Sequence, residues 1–325
     1  MEWRLALYDW VIAHRLDADG ERALRRVAGL EREPAGLARW LPRGVAVLAA
    51  ALGALGLVFW IAANWESLGR FGRFALLQGV VLVMCAGALW RPAARTPLAL
   101  MALAAIGGLF AYFGQTYQTG ADPWQLFALW AVLALPLCLG ARSDAVWTPW
   151  AVVAMTAISL WVHAHTGHRW RVEPQDLKVH ALGWLSGLLL VLALGAAARR
   201  FTGAGVWSLR CALTLWVVML GASALGGLFH SPVAPHYALG LVVLGLAAAT
   251  LASPRFAEVY GLSAVALGLD TLLVAGLGRL LFDNAAGDPI GRLTMIGLAA
   301  AGLLAATVTA VLRVARRIDA AEAAR

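Results

Sequence analysis

The sequence predicts an all-α fold: a polytopic bundle of about ten transmembrane helices, preceded by a short cytoplasmic helical hairpin. Composition and pattern both lead there. Of 325 residues, 61% are apolar and 14% charged, where a soluble domain carries about 25% charged residues. Mean hydropathy is +0.75. The apolar residues fall in runs long enough to cross hydrocarbon as helix, separated by short polar breaks. This excludes a disordered chain, a coiled coil and an ordinary soluble enzyme. No period-two strand pattern is present, which excludes a β-barrel.

Residues 1–43 hold eight basic and seven acidic side chains and no long apolar core, so they are expected to be retained and folded rather than cleaved as a signal peptide. Trp3, Leu5, Ala6, Trp10, Val11 and Ala13 line one face of a first helix. Arg15-Leu16 turns the chain. Asp17 caps a second helix from Ala18 to about Leu30, and Pro34 and Gly36 end it. The near-neutral charge balance argues against a nucleic-acid-binding helix-turn-helix and for a hairpin that docks a cytoplasmic protein partner.

Apolar runs follow at 44–63, 71–90, 97–113, 124–140, 146–163, 181–198, 206–229, 237–252, 259–281 and 290–312. Residues 44–313 form the transmembrane domain and 314–325 a cytoplasmic tail. Small residues are dense in Ala49–Gly56 and Gly297–Ala306, where helices can approach closely. Trp40, Trp60, Trp65, Trp90, Trp124, Trp147, Trp161 and Trp170 lie near run ends, as interfacial anchors do.

The net charge of +8 comes from 26 basic residues, all but Lys178 arginine. Most flank apolar runs and set topology rather than bind nucleic acid. With the N-terminus inside, eleven basic residues near membrane ends fall inside and seven outside, and the hairpin adds six more inside. Both termini are therefore expected in the cytoplasm, the scarcity of Lys beside abundant Ala, Arg, Gly and Leu points to a GC-rich bacterial genome, and a bacterial inner membrane is the expected location. Cys85, Cys138 and Cys211 lie in apolar runs without a CxxC pair, so they are expected to pack as small apolar side chains.

Two segments carry a resemblance. One is Gly56-Leu-Val-Phe-Trp-Ile-Ala-Ala-Asn-Trp-Glu66. The other is Tyr112-Phe-Gly-Gln-Thr-Tyr-Gln-Thr-Gly-Ala-Asp-Pro-Trp124, running on to Leu135-Pro136. With the short helical N-terminus, residues 5–140 resemble the bacterial predicted membrane proteins of the domain-of-unknown-function family 2157. The resemblance implies a multi-pass membrane protein and no particular activity.

Three groups are candidates for chemistry. The outer polar turn gathers Asn64, Glu66, Gln115, Tyr117, Gln118, Thr119, Asp122 and Trp124. Thr116, Asp283, Asn284 and Asp288 belong to the same face. The turn is rich in hydrogen-bonding groups and carries no positive charge, so it suits either a re-entrant polar site or a solvated turn capping helix ends. The second group is histidine: His163, His165, His168, His180, His230 and His236 share the predicted outer side. Neutral imidazoles at His163, His165, His168, His230 and His236 would suit a divalent metal, although no HExxH or carboxylate at metal spacing accompanies them. No other cofactor is predicted. The third is Asp270, alone in the middle of an apolar run. A carboxylate at that depth costs about 2.5–3.5 kcal/mol on insertion scales and marks either an intramembrane relay or a packing acid. Arg210 is the candidate partner, because Arg279 lies half a turn round the helix. Gln78 is read as a helix–helix hydrogen bonder.

No phosphate loop, nucleophile elbow or dinucleotide fingerprint occurs, so no catalytic residue is identified and the chain reads as more a non-enzyme than an enzyme. The leading expectation is a small-solute or proton-coupled transporter-like protein, with the lipid bilayer as its surroundings. The alternative is a non-catalytic membrane scaffold or envelope sensor working through residues 1–43. A metal-dependent membrane enzyme on the outer face is the third reading.

Overall fold

The computed structural model describes residues 9–28, 37–64, 67–117, 120, 122–169, 171–253, 258–283 and 289–323. The chain divides into two units, Met1–Leu52 and Gly53–Arg325. In the first, residues 9–13 are helical and residues 14–15 turn into α1, Ala18–Val27. Asp17 starts α1 as the sequence predicts: its Oδ1 accepts the Gly20 N–H at 2.8 Å, satisfying one of the first-turn donors. Trp3, Leu5, Ala6, Pro34 and Gly36 lie outside the described residues.

Ten further helices follow: α2 Leu37–Ala63, α3 Gly69–Trp90, α4 Arg95–Tyr117, α5 Pro123–Ala141, α6 Asp144–His165, α7 Leu177–Ala193, α8 Val206–Leu228, α9 Pro235–Ala252, α10 Val259–Asp283 and α11 Pro289–Ala323. Among the described residues these ten are long and apolar enough to cross a membrane, and there is no strand. The protein is a multi-pass membrane protein. The predicted spans match in number and order. The sixth is displaced: 181–198 was expected, whereas α7 begins at Leu177, after a single turn at Pro174–Asp176, and ends at Ala193. Residues 194–198 had read as helix because they are apolar, but there the chain leaves the helix for a separate turn at Arg199–Thr202.

Consecutive helices run antiparallel, which gives the second unit two ends. The first end carries the junctions near 64–69, 117–123, 165–177 and 228–235, and contacts tie them together. Tyr112 Oη donates to the Arg70 carbonyl at 3.3 Å, and His168 Nε2 meets Asp122 Oδ1 at 2.9 Å. At the opposite end Arg142 donates to the Arg200 carbonyl at 2.6 Å, and Arg210 pairs with Glu258 at 3.0 Å.

The core centres on α6 and α8. Both pack on each other, α7 joins both, and α9 and α10 close on α8 while α4 and α5 close on α6. Ala151, Ala212, Leu220, Ala224, Leu244, Val265 and Leu272 are fully enclosed there. Tryptophan fastens the layers. An indole has one donor and no acceptor, and in hydrocarbon no water can take that donor. A helical carbonyl keeps a second lone pair, so a neighbouring helix can accept it. Trp130 donates to the Leu103 carbonyl at 2.9 Å, Trp150 to Ala131 at 2.8 Å, Trp216 to Trp184 at 2.8 Å and Trp147 to Thr202 at 2.9 Å. Trp184 donates to Ser223 Oγ at 3.0 Å. Two of these indoles lie in glycine notches one turn beyond the accepting carbonyl: a Cβ on Gly107 would collide with Trp130, and one on Gly187 would reach Trp216 Cδ1 at 2.7 Å.

This corrects the reading of Trp147 as an interfacial anchor. It is 2% exposed, because the carbonyl of Thr202 lies within reach of its N–H. Trp40, Trp60 and Trp90 are exposed, in keeping with the anchor role. On the outside, α11 packs on α10 and leaves Ile290, Leu293, Leu298 and Leu312 uncovered, a surface suited to hydrocarbon.

Candidate functional site

Asp270 sits near the middle of α10 and is 8% exposed. Its Oδ1 accepts a hydrogen bond from Thr307 Oγ1 of α11 at 3.1 Å. Its Oδ2 is buried and has no hydrogen-bond partner among the described residues. Nearby, Tyr237 Oη of α9 donates to the Leu272 carbonyl at 3.0 Å, and the absence of a side chain at Gly276 makes room for that hydroxyl. The acid therefore lies at the contact of α10 with α11, while Tyr237 ties α9 to α10 two residues further on. Arg210, the expected partner, is engaged elsewhere. Its guanidinium bonds Glu258 Oε1 at 3.0 and 3.1 Å and lies over the Tyr260 ring at 5.0 Å. The reason is register: Arg210 is on the first turn of α8 and Asp270 in the middle of α10. Arg279 pairs with Asp283 at 2.9 Å and donates to the His230 carbonyl at 2.7 Å.

The histidines share one end of the bundle but not one centre. His180 and His236 form a buried pair, with His236 Nε2 3.3 Å from His180 Nδ1 and the rings nearly perpendicular. His236 is wholly enclosed, and its Nδ1 has no partner among the described residues. His180 Nδ1 also lies 3.1 Å from the Asp176 carbonyl. His230 contacts Glu173 Oε2 at 3.3 Å and its own turn at the Pro232 carbonyl at 2.9 Å. His168 bonds Asp122, His163 meets the His168 ring edge-on at 5.6 Å, and the His165 ring lies tilted against Trp161 at 4.4 Å. The metal set His163, His165, His168, His230 and His236 is thus divided among separate contacts. Among the described residues no three His, Cys, Asp or Glu side chains are grouped to hold a metal ion.

The outer polar turn likewise divides. Asn64 and Gln115 line one cleft of about 830 Å³ together with Ser67 and Tyr112, at the first end of α2, α3 and α4. Asn64 Nδ2 caps its own helix at the Trp60 carbonyl, 2.9 Å away. Tyr117 packs on Phe74 and Phe113. Asp122 serves His168, and Trp124 faces His165 at 6.1 Å. Glu66, Gln118, Thr119, Asn284 and Asp288 lie outside the described residues. Thr116 bonds the Tyr112 carbonyl of its own helix, and Gln78 is exposed rather than held between helices.

Sequence reasoning missed what surrounds this turn. It reads as free of positive charge, yet α3 brings Arg70 over the Tyr117 ring at 5.8 Å and Arg73 over Tyr112 at 5.9 Å. Arg70 and Arg73 were visible as a pair three residues apart, hence on one helix face. Their meeting with Tyr112 and Tyr117 depends on the antiparallel packing of α3 and α4.

At the opposite end the Asp144 carboxylate accepts three backbone N–H groups at the start of α8: Gly205 at 2.9 Å, Trp207 at 2.8 Å and Ser208 at 3.0 Å. An acid at a helix N-terminus is favoured by the dipole and by the orphan donors there. Its place in sequence, opening α6, gives no hint that it caps α8.

Residues 8–147 match the family model described as a predicted membrane protein, DUF2157. The match ends at the start of α6 and agrees with the resemblance carried by residues 56–66 and 112–124. No curated protein and no solved structure matches the chain.

Proposed function

We propose that the protein is a proton-coupled transporter of a small solute, with Asp270 as its intramembrane proton-carrying group. The observation that supports this reading is the half-satisfied carboxylate: Asp270 is buried in α10, Thr307 holds one oxygen, and the other has no partner among the described residues. An acid kept at that depth for packing alone would gain from having both oxygens paired. A carboxyl that exchanges a proton needs one oxygen open to it. Asp270 stands at the contact of α10 with α11, through its bond to Thr307. We place the protein in a bacterial inner membrane with both termini in the cytoplasm, on the arginine bias of the loops.

The test uses the full chain in proteoliposomes holding a trapped pH dye, under an imposed proton gradient with potassium and valinomycin. The expected result is proton flux that Asp270→Asn abolishes and Asp270→Glu partly retains. Equal flux from wild type and Asp270→Asn ends the proposal. Water access is tested separately. Cys85, Cys138 and Cys211 are replaced, Asp270→Cys is introduced, and labelling by an impermeant thiol reagent from one side is expected.

The alternative reading is a membrane scaffold or envelope sensor that docks a cytoplasmic protein through residues 1–43. It is favoured by the charged surface of α1, where Arg22 pairs with Asp19 at 2.5 Å. It predicts the reverse pattern: deletion of residues 1–40 abolishes function, and Asp270→Asn is tolerated.

A further inference from the structure

A second polar cavity, of about 200 Å³, lies at the histidine-bearing end among α6, α7 and α8. Its polar lining is Ser159, His163, Thr166, Arg169, Arg171 and His180, with Ser223, and among the described residues no carboxylate contributes to it. Thr166, His180 and Ser223 are buried; Arg169 and Arg171, both exposed, line the cavity from the loop. The rest of the wall is apolar, formed by Val162, Val172, Met219 and Ala222.

The loop that brings the arginines is built, not merely adjacent. Helix α6 ends in a left-handed turn with Gly167 at φ +70°, and the His168 N–H bonds back to the His163 carbonyl at 3.0 Å. That six-residue closure is the Schellman arrangement, which reverses the chain sharply. The returning chain then makes three contacts. His168 bonds Asp122 at 2.9 Å, and Val172 is buried against Gly226, where a Cβ would leave no room for it. Glu173 meets His230 at 3.3 Å. Arg169 and Arg171 sit between these contacts. Glu173 lies 3.6 Å from Arg171 and is shared with His230.

Two guanidinium groups and two imidazoles line one small cavity that has no carboxylate among its described lining residues, while the Thr166 and Ser223 hydroxyls already donate to carbonyls of their own helices. We propose that this cavity binds a phosphate group. Arginine forks match phosphate oxygens two at a time, and the His163 and His180 imidazoles lie beside them in the lining. The cavity lies at the ends of membrane helices, so the group comes either from free phosphate or from the headgroup of an anionic phospholipid. This site is independent of the Asp270 reading and stands or falls without it.

The experiment measures thermal unfolding of the full chain in neutral detergent against inorganic phosphate at constant ionic strength. It also measures the phospholipid retained through purification by native mass spectrometry. The wild type, the double variant Arg169→Gln/Arg171→Gln and the control Lys178→Gln are compared. Lys178 is a cation at the same end that does not line the cavity. Saturable stabilisation by phosphate, with affinity weakened about tenfold or more in the double variant and unchanged in the control, supports a free-phosphate site. Retained phosphatidylglycerol that the double variant loses and the control keeps supports a headgroup site. Neither effect in wild type, or effects that survive the double variant, overturns the proposal. Both arginines lie on the exposed loop, so the variant is expected to fold. Its tryptophan emission and circular dichroism check that, and phosphate binding by the wild type decides the matter if it does not.

Discussion

Asp144 Oδ1 accepts the Ser208 N–H at 3.0 Å while its other oxygen holds Trp207 at 2.8 Å, so the acid that opens α6 also seats α8. These two helices form the centre of the core. Asp144→Ala leaves three N–H groups at the head of α8 without their acceptor. It is expected to destabilise the protein by about 2 kcal/mol, and Asp144→Asn by less, because the amide oxygen still accepts. Denaturant-induced unfolding in detergent measures both. Wild-type stability in Asp144→Ala would show that water replaces the cap at no cost.

The tryptophan bonds separate ring packing from hydrogen bonding. Trp216→Phe keeps an aromatic ring in the Gly187 notch and loses the bond to the Trp184 carbonyl, for an expected cost of about 1 kcal/mol. Trp216→Ala also opens a cavity and is expected to cost about 3–5 kcal/mol. Equal losses in the same unfolding assay would refute the packing account.

Gly276 and Tyr237 are coupled through space. A side chain at 276 would occupy the place of the tyrosine hydroxyl, so Gly276→Ala is expected to cost about 1–3 kcal/mol. Tyr237→Phe removes the hydroxyl and its bond to Leu272, at about 1 kcal/mol. The double variant is expected to lose clearly less than the sum, because the methyl then enters the space the hydroxyl left. Simple additivity would mean that the two helices part by another route.

At Asp270 stability and activity are expected to diverge. Asn keeps an acceptor for Thr307, so Asp270→Asn should change unfolding by under about 1 kcal/mol while removing proton flux. Thr307→Val withdraws the acid's one described hydrogen bond and is expected to cost about 1–3 kcal/mol. A large stability loss in Asp270→Asn would instead make the acid a structural member of the α10–α11 contact.

The contact of His168 with Asp122 is expected to contribute little. Their side chains are 59% and 38% exposed, where such pairs give less than about 1 kcal/mol and weaken with salt. His168→Ala should leave the unfolding midpoint nearly unchanged; a loss well above that would show that the contact orders the whole 166–176 loop.

The helices were legible because hydrocarbon imposes one requirement on each of them independently: enough consecutive apolar residues. The Asp17 cap was legible because its partner is three residues away. Asp144, Arg70 and Trp147 were misread or missed for the opposite reason, since their partners lie on other helices and hydropathy carries no information about which helices touch. The candidate site shows the same division. Asp270 stands out by its isolation in an apolar run, but neither its bond to Thr307 nor the engagement of Arg210 by Glu258 leaves a trace in local pattern. The histidines were found by type and placed at one end by topology, yet their sorting into pairs depends on the facing of α7 and α9. The 180–236 pair was missed because those two residues are far apart in sequence.

The central place of α8 has a consequence for how the molecule comes into being. Helices enter the bilayer in the order of synthesis, and α8 follows six earlier spans. Until it emerges, Trp184 lacks the hydroxyl of Ser223, Asp144 has no N-terminus to hold, and the inner faces of α6 and α7 rest against lipid. Apolar helices tolerate that wait, whereas a buried indole N–H does not. The nascent protein therefore passes through a membrane-inserted but unclosed stage, and that stage is where we expect a membrane chaperone or quality-control protease to meet it.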